Sequence, residues 1–208
     1  MKLLVVGATG SVGTQIVTQA LNQGHDVHAL TRSQSTDRLK PHPKLTIVKG
    51  DPTDPATLSS DIADVDAVLV TLGGGLTGSP RSQGTQNIID AMRETGTKRL
   101  ICQTTLGVGD SRPNLNFKWK YIMFGGLLRK PYQDHVKQEE IVKASETNWT
   151  IVRPSAFTDG PLTGSYKQNF GPEQLGLNLE ISRADVAHFM LAQLETDDNV
   201  GKACGISN

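Results

Sequence analysis

The stretch Lys2-Leu3-Leu4-Val5-Val6-Gly7-Ala8-Thr9-Gly10-Ser11-Val12-Gly13-Thr14 opens the chain and decides its fold class. Leu3 to Val6 form a short, continuous apolar run, which reads as a strand buried on both faces of a parallel sheet. The run stops at Gly7. Beyond it, Val12, Ile16, Val17, Ala20 and Leu21 recur at helical spacing, and that pattern ends near Gly24. A strand, a glycine-rich turn and a helix in this order are the context in which a dinucleotide fingerprint has a physical purpose. Gly7 permits the tight turn out of the strand, Gly10 leaves space for a pyrophosphate, and Gly13 lets the helix lie close against the sheet. Thr9, Ser11 and Val12 share the turn. The N–H groups at the helix start, with their partial positive charge, then face the phosphates.

Bulk composition narrows the remaining classes. The chain has 208 residues, enough for one α/β domain with a sizeable core and short for two. Hydrophobic residues make up 37% and formal net charge is zero, so bulk charge favours neither nucleic acid nor an anionic surface. Cys102 and Cys204 lack metal-ligand spacing and read as reduced packing thiols; no metal is expected. No charged segment precedes a hydrophobic signal stretch, and Tyr121 to Leu128 is far too short to span a bilayer. The expectation is a cytoplasmic protein without membrane insertion, and a monomer by default.

Strand and helix patterns alternate through most of the chain. Further strands are read at Asp26–Thr31, Leu45–Val48, Asp66–Thr71, Arg99–Thr104 and Thr150–Val152. Helices are read at Asp54–Ser60, Ser82–Glu94, Gln133–Ser145 and Ser182–Leu194, the last with Ser182 as N-cap and Asp185 close to a capping box. This alternation predicts a single-domain, doubly wound parallel sheet of Rossmann type over residues 1–208. Residues 107–131 form the least regular stretch and read as an insertion.

Ligands of doubly wound sheets bind beyond the carboxyl ends of the strands, so the residues just after each strand are the candidates. An NAD-preferring site places an acid after the second strand; here Thr31-Arg32-Ser33 stand there, with Arg38 further on. A guanidinium beside hydroxyls suits a 2′-phosphate, which makes NADP(H) the expected cofactor. Asp51, after the third strand, is placed either to accept from the adenine amino group or to serve as a turn residue before Pro52. Leu72, Gly73 and Gly74 follow the fourth strand, where backbone would pass close to the adenosine ribose. Thr104 and Thr105 follow the fifth, and Pro154 and Phe157 the sixth.

The Gly-Ala-Thr-Gly opening resembles the extended and atypical short-chain dehydrogenases/reductases. That family's usual chemistry pairs a Tyr with a Lys four residues later, and the pair is missing. Tyr132 is followed by Val136, Tyr121 by Gly125 and Tyr166 by Phe170, while Pro131 and His135 fall at the tyrosine and lysine positions. Hydride acceptors that solvent can protonate, such as flavins, quinones and tetrapyrroles, need positioning more than a side-chain acid. Gly7–Gly13, Ala29-Leu30-Thr31-Arg32-Ser33, Gln103-Thr104-Thr105, Gly160-Pro161-Leu162-Thr163-Gly164-Ser165-Tyr166 and Ile181–Met190 make the chain similar to the flavin reductase/biliverdin-IXβ reductase family. The resemblance implies NADPH-dependent hydride transfer to FMN or FAD as substrate rather than prosthetic group, with biliverdin or quinones as further acceptors. It also implies Thr105 as the substrate-orienting hydroxyl, His135 on the helix facing the nicotinamide, and Pro154 and Phe157 beside the ring. The family's histidine after the sixth strand is Ala156 here, which weakens the case for tetrapyrroles. The alternative is an NADP(H)-binding sensor or assembly factor of the NmrA-like type.

Overall fold

A computed structural model describes residues 1–32, 36–58, 62–75 and 81–208. Its centre is an eight-stranded sheet in the order β3-β2-β1-β4-β5-β6-β10-β8. The strands are β1 (Lys2–Val6), β2 (Asp26–Thr31), β3 (Leu45–Lys49), β4 (Ala67–Val70), β5 (Arg99–Gln103), β6 (Asn148–Pro154), β8 (Lys167–Gln168) and β10 (Lys202–Ser207). All neighbours pair in parallel except β8 with β10. A separate parallel pair joins β7 (Ala156–Thr158) to β9 (Glu180–Ser182).

The opening run behaves as its composition demands. Leu3, Leu4, Val5 and Val6 are fully buried, with β2 on one side of their strand and β4 on the other. Leu3 and Val5 join one core cluster, Leu4 and Val6 the other, as strand alternation requires. At roughly 1.5–3 kcal/mol for each side chain, this single strand anchors much of the molecule. The first cluster is closed by α1 (Gly13–Asn22) and α4 (Arg183–Ala192), through Ile16, Val17, Phe189 and Met190. The second is closed by α2 (Arg81–Thr95) and α3 (Arg129–Ala144), through Ile88, Met92 and Val142. Ser182 caps α4 as expected: its Oγ accepts from the Asp185 amide at 2.9 Å and donates to Asp185 Oδ2 at 2.8 Å.

Several boundaries differ from the sequence reading. The helix expected at Asp54–Ser60 is, in its described part, a single 3₁₀ turn at Pro55–Thr57 capped by Asp54; Ser59 and Ser60 lie outside the described residues. The helix expected from Gln133 begins at Arg129, because Pro131 falls in its first turn, where a missing N–H costs nothing. Residues 107–131 are not irregular but hold a 3₁₀ helix at Gly109–Asn114 and a π-helix at Lys118–Leu127. Strand β10 was not anticipated, since Lys202-Ala203-Cys204-Gly205-Ile206-Ser207 offers no apolar run. Its place beside β6 is what buries it.

Candidate cofactor and acceptor cleft

Strand order reverses between β1 and β4, and both connections leave the sheet at its carboxyl edge, so a crevice opens there. The glycine turn forms its floor. Gly7 has φ +83°, and a Cβ on it would sit 2.7 Å from the Thr71 carbonyl oxygen. A Cβ on Gly13 would lie 2.2 Å from the Gly7 oxygen, so the close approach of α1 to β1 requires its absence; at Gly10 the same contact would be 3.0 Å. No side chain caps α1 at Val12, which leaves the helix start to an incoming anion.

Two cavities meet over this turn. One, of about 490 Å³, is lined by Gly7, Thr9, Gly10, Leu30, Arg32 and Pro52 among others. The other, of about 420 Å³, runs from Gly10, Ser11 and Val12 past Thr104, Thr105 and His135 to Pro154 and Phe157. Thr71, Leu72, Gly73 and Gly10 line both, so the two form one groove across the switch point. The groove brings together Gly7, Thr9, Gly10, Ser11, Val12, Arg32, Leu72, Gly73, Thr104, Thr105, His135, Pro154 and Phe157. Arg38 sits in a neighbouring depression with Ser11 and Thr14, its Nη1 donating to the Thr9 carbonyl at 3.4 Å. Gly74 lies between two groove residues, Gly73 and Gly75. Ser33 lies outside the described residues.

Asp51 stands behind Arg32, 3.7 Å from its Nη1. Its Oδ1 accepts from the amide and hydroxyl of Thr53, at 2.8 and 2.7 Å. Partial burial opposes ionisation, but the Thr53 bonds and the Arg32 charge prevail and hold the carboxyl below its ordinary range. Asp51 is thus a turn residue and an anchor for Arg32.

Chemistry at the other end is set by burial. His135 is 9% exposed, and burial followed by the Arg81 charge pushes its pKa down to about 4. Gln138 directs both its amide hydrogens elsewhere, to Thr85 and Cys102, so its oxygen accepts from His135 Nδ1 at 3.1 Å. That arrangement leaves His135 Nε2 an acceptor. A neutral imidazole therefore lines the cleft at this position. Thr105 lines the cleft with its hydroxyl only loosely held, 3.4 Å from the Leu106 carbonyl. Thr104 also lines it, but its hydroxyl turns away and donates to Glu139 Oε1 at 2.9 Å.

Glu139 is the centre of a buried network beneath the cleft wall. It accepts from Arg153 Nε at 2.8 Å, from Nη2 at 2.7 Å and from Lys143 at 2.9 Å. Arg153 reaches Asp110 with its third nitrogen at 2.5 Å. Desolvation opposes the charge on Glu139, yet the guanidinium bonds keep its carboxyl below the usual range. The pair fixes Pro154, next along β6, and Thr104, at the end of β5, as neighbouring parts of the wall.

No tyrosine among the described residues supplies an acid here. Tyr132 lines the cleft with its ring, but its hydroxyl donates to the Gly107 carbonyl at 3.0 Å and accepts from Arg112 at 3.2 Å. Tyr166 pairs with His188 at 2.8 Å, and burial raises its pKa to about 12. Phe157 is 37% exposed, with Arg183 stacked on its ring at 5.3 Å.

Arg81 and Gln103 are polar cleft residues that the sequence reading did not nominate for the site. Arg81 is 8% exposed and its Nε has no hydrogen-bond partner; its Nη1 is 3.6 Å from Asp134. The buried Gln103 Oε1 is likewise unpartnered. One signal was available for Arg81: a cation at the first position of a helix opposes the macrodipole, so its presence asks for another reason.

The fold and the groove define a dinucleotide-binding protein of Rossmann type. The chain belongs to the NAD(P)H-binding family, whose model matches residues 7–197. An uncharacterised chloroplastic protein of Arabidopsis thaliana is 30% identical over 212 residues, covering 96% of this chain and 75% of that one. The photosystem II assembly factor Ycf39 of Synechocystis is 29% identical over 211 residues, 95% of this chain but only 59% of its own length. A wide-type short-chain dehydrogenase/reductase of Veillonella parvula in complex with NADP superposes over all of this chain and 94% of its own, with a TM-score of 0.84 at 17% identity. The anaerobilin reductase ChuY of Escherichia coli O157:H7 does so over all of this chain and 97% of its own, with a TM-score of 0.79 at 24% identity. No helix among the described residues is long and apolar enough to cross a membrane.

Proposed function

We propose that the protein is an NADPH-dependent reductase that passes hydride to a planar conjugated acceptor, with free FMN and FAD as the first candidates and biliverdin and quinones next. The observation that carries this reading is a cleft continuous with the glycine turn whose walls are largely apolar and whose ionisable groups are engaged or neutral. Gly7, Gly10, Gly13 and the start of α1 would hold the pyrophosphate, and Arg32, braced by Asp51, the 2′-phosphate; Arg38 approaches from the adjacent depression. The bound dinucleotide supplies the hydride. Leu106, Leu115, Trp119 and Phe124 exclude water from the acceptor face, while Thr105 offers a loosely held hydroxyl at which a carbonyl can be oriented. With His135 neutral and no tyrosine available, the accompanying proton comes from solvent, which restricts the acceptors to those needing no side-chain acid. Arg81 is charge-paired with Asp134, but its Nε keeps a free hydrogen-bond donor that would suit an acceptor bearing a carbonyl or an anionic substituent.

A second reading, an NADP(H)-binding sensor or assembly factor, is supported by the engaged Tyr132 hydroxyl and by likeness to Ycf39. The test is loss of NADPH absorbance with FMN, FAD, biliverdin or a quinone, each against an NADH control. Acceptor-dependent turnover that favours NADPH is expected. Tight NADPH binding without turnover on any acceptor would transfer the case to the sensor.

A further inference from the structure

Zero net charge conceals an uneven distribution. Residues 111–133 hold Arg112, Lys118, Lys120, Arg129 and Lys130 and no Asp or Glu, a formal +5 that leaves −5 for the rest of the chain. The π-helix Lys118–Leu127 lies within that stretch, and an i→i+5 repeat divides it into rows. Trp119 and Phe124, five apart, turn inward with Leu128 against Leu106, Leu115 and Leu179. Phe117, Ile122 and Leu127, also five apart, form the opposite row with Tyr121 beside them, and are 71%, 57%, 65% and 60% exposed respectively. The segment is therefore apolar on two faces, only one of which the fold covers, and four large exposed hydrophobic side chains within eleven residues exceed the scattered exposure of ordinary surfaces.

We propose that this face adsorbs to an anionic lipid surface, with the outer row in the headgroup layer and the basic residues against lipid phosphates. Two arguments select this occupant. A second copy of the chain, docked face to face by a two-fold axis, would bring five cations against five. Aromatic and aliphatic side chains flanked by Lys and Arg on one short helix are the pattern of segments that lie in the interface plane. Lys118, Arg129 and Lys130 are exposed, and Lys120 is held by the Pro113 carbonyl at 3.1 Å. The −5 remainder would orient the molecule with this face inward. The adsorption spans nothing and stands whether or not the cleft reduces an acceptor.

The test uses the full chain and sedimentation with vesicles of phosphatidylcholine alone or mixed equally with phosphatidylserine. Binding is expected to the mixed vesicles only, and to be released by salt. Lys118→Gln with Lys130→Gln should lower partitioning about 30-fold, from about 1 kcal/mol for each charge. Ile122→Ser with Leu127→Ser should weaken it as well, and thermal melting should show both double variants folded, because these side chains are exposed. In Ile122→Trp, the indole emission should shift to the blue on mixed vesicles. Equal binding to both vesicle types, or variants that bind like the parent, would overturn the proposal. Indifference to both vesicles would overturn it too and assign the face to a protein partner.

Discussion

Replacing Glu139 with Ala should cost this protein far more than its single position suggests. Glu139 and Arg153 are each 1% exposed, and Glu139 provides the acceptors for two of the three guanidinium nitrogens. Its removal leaves Arg153 with Asp110 alone, whose side chain is 76% exposed and solvent-screened. A buried charge stripped of its partner costs about 3–5 kcal/mol, and the Thr104 hydroxyl, losing its acceptor, adds about 1 kcal/mol. Against a typical total of about 5–15 kcal/mol, a loss of about 4–6 kcal/mol is a large fraction of the stability, with Tm lowered by roughly 8–24 °C for a chain of this size. Urea unfolding followed by circular dichroism measures the loss, provided the m-value is unchanged. The double variant Glu139→Ala/Arg153→Met removes the orphaned charge and should recover most of it, a non-additivity that a double-mutant cycle reads directly. A single variant losing less than about 1 kcal/mol, or a double variant losing the sum of the singles, would refute this account of the network.

Four further outcomes test the fold and the groove. Gly13→Ala must push the Gly7 carbonyl away by roughly 1 Å, an overpacking cost of about 1–3 kcal/mol that exceeds the helix-propensity gain, and NADPH affinity should fall at least tenfold. Gly24→Ala, with φ +84° and nothing within 4 Å of its added Cβ, should cost about 1 kcal/mol and leave NADPH titrations unchanged. Arg32→Glu should reduce NADPH affinity roughly ten- to a hundredfold and NADH affinity little, by fluorescence titration; an unaltered NADPH/NADH ratio would remove Arg32 from the 2′-phosphate site. His135 has a folded pKa of about 4 against an ordinary 6.5, so the unfolded chain binds its proton first and stability is lost as pH falls from 6.5 towards 4, by roughly 3 kcal/mol. In His135→Asn, urea midpoints measured across that range should decline less steeply than in the parent.

The opening strand, the glycine turn and the first helix were legible because their information is local: a continuous apolar run, a required positive φ, a helical repeat. The sheet class followed from alternation of such units, and Arg32 from the rule that strand ends face the ligand. Periodicity failed where tertiary neighbours supply the burial. Strand β10 has no apolar run of its own and is recognisable only beside β6, and the first turn of α3 runs through Pro131 because that turn needs no N–H. In the site, the strand-end rule nominated Thr104 and Thr105, while the family resemblance brought His135 to the same cleft. It was the packing that turned the Thr104 hydroxyl to Glu139, neutralised His135 beside Arg81, and engaged Tyr132 with Gly107. Arg81 came to the cleft only through the packing of α2, while Gln103 reached it at the carboxyl end of β5. Sequence alone thus determined the nucleotide-binding turn and the order of the elements, because these depend on residues adjacent in the chain. Tertiary structure decided which polar groups face the cleft and in which protonation state, because burial and charge partners come from residues tens of positions apart.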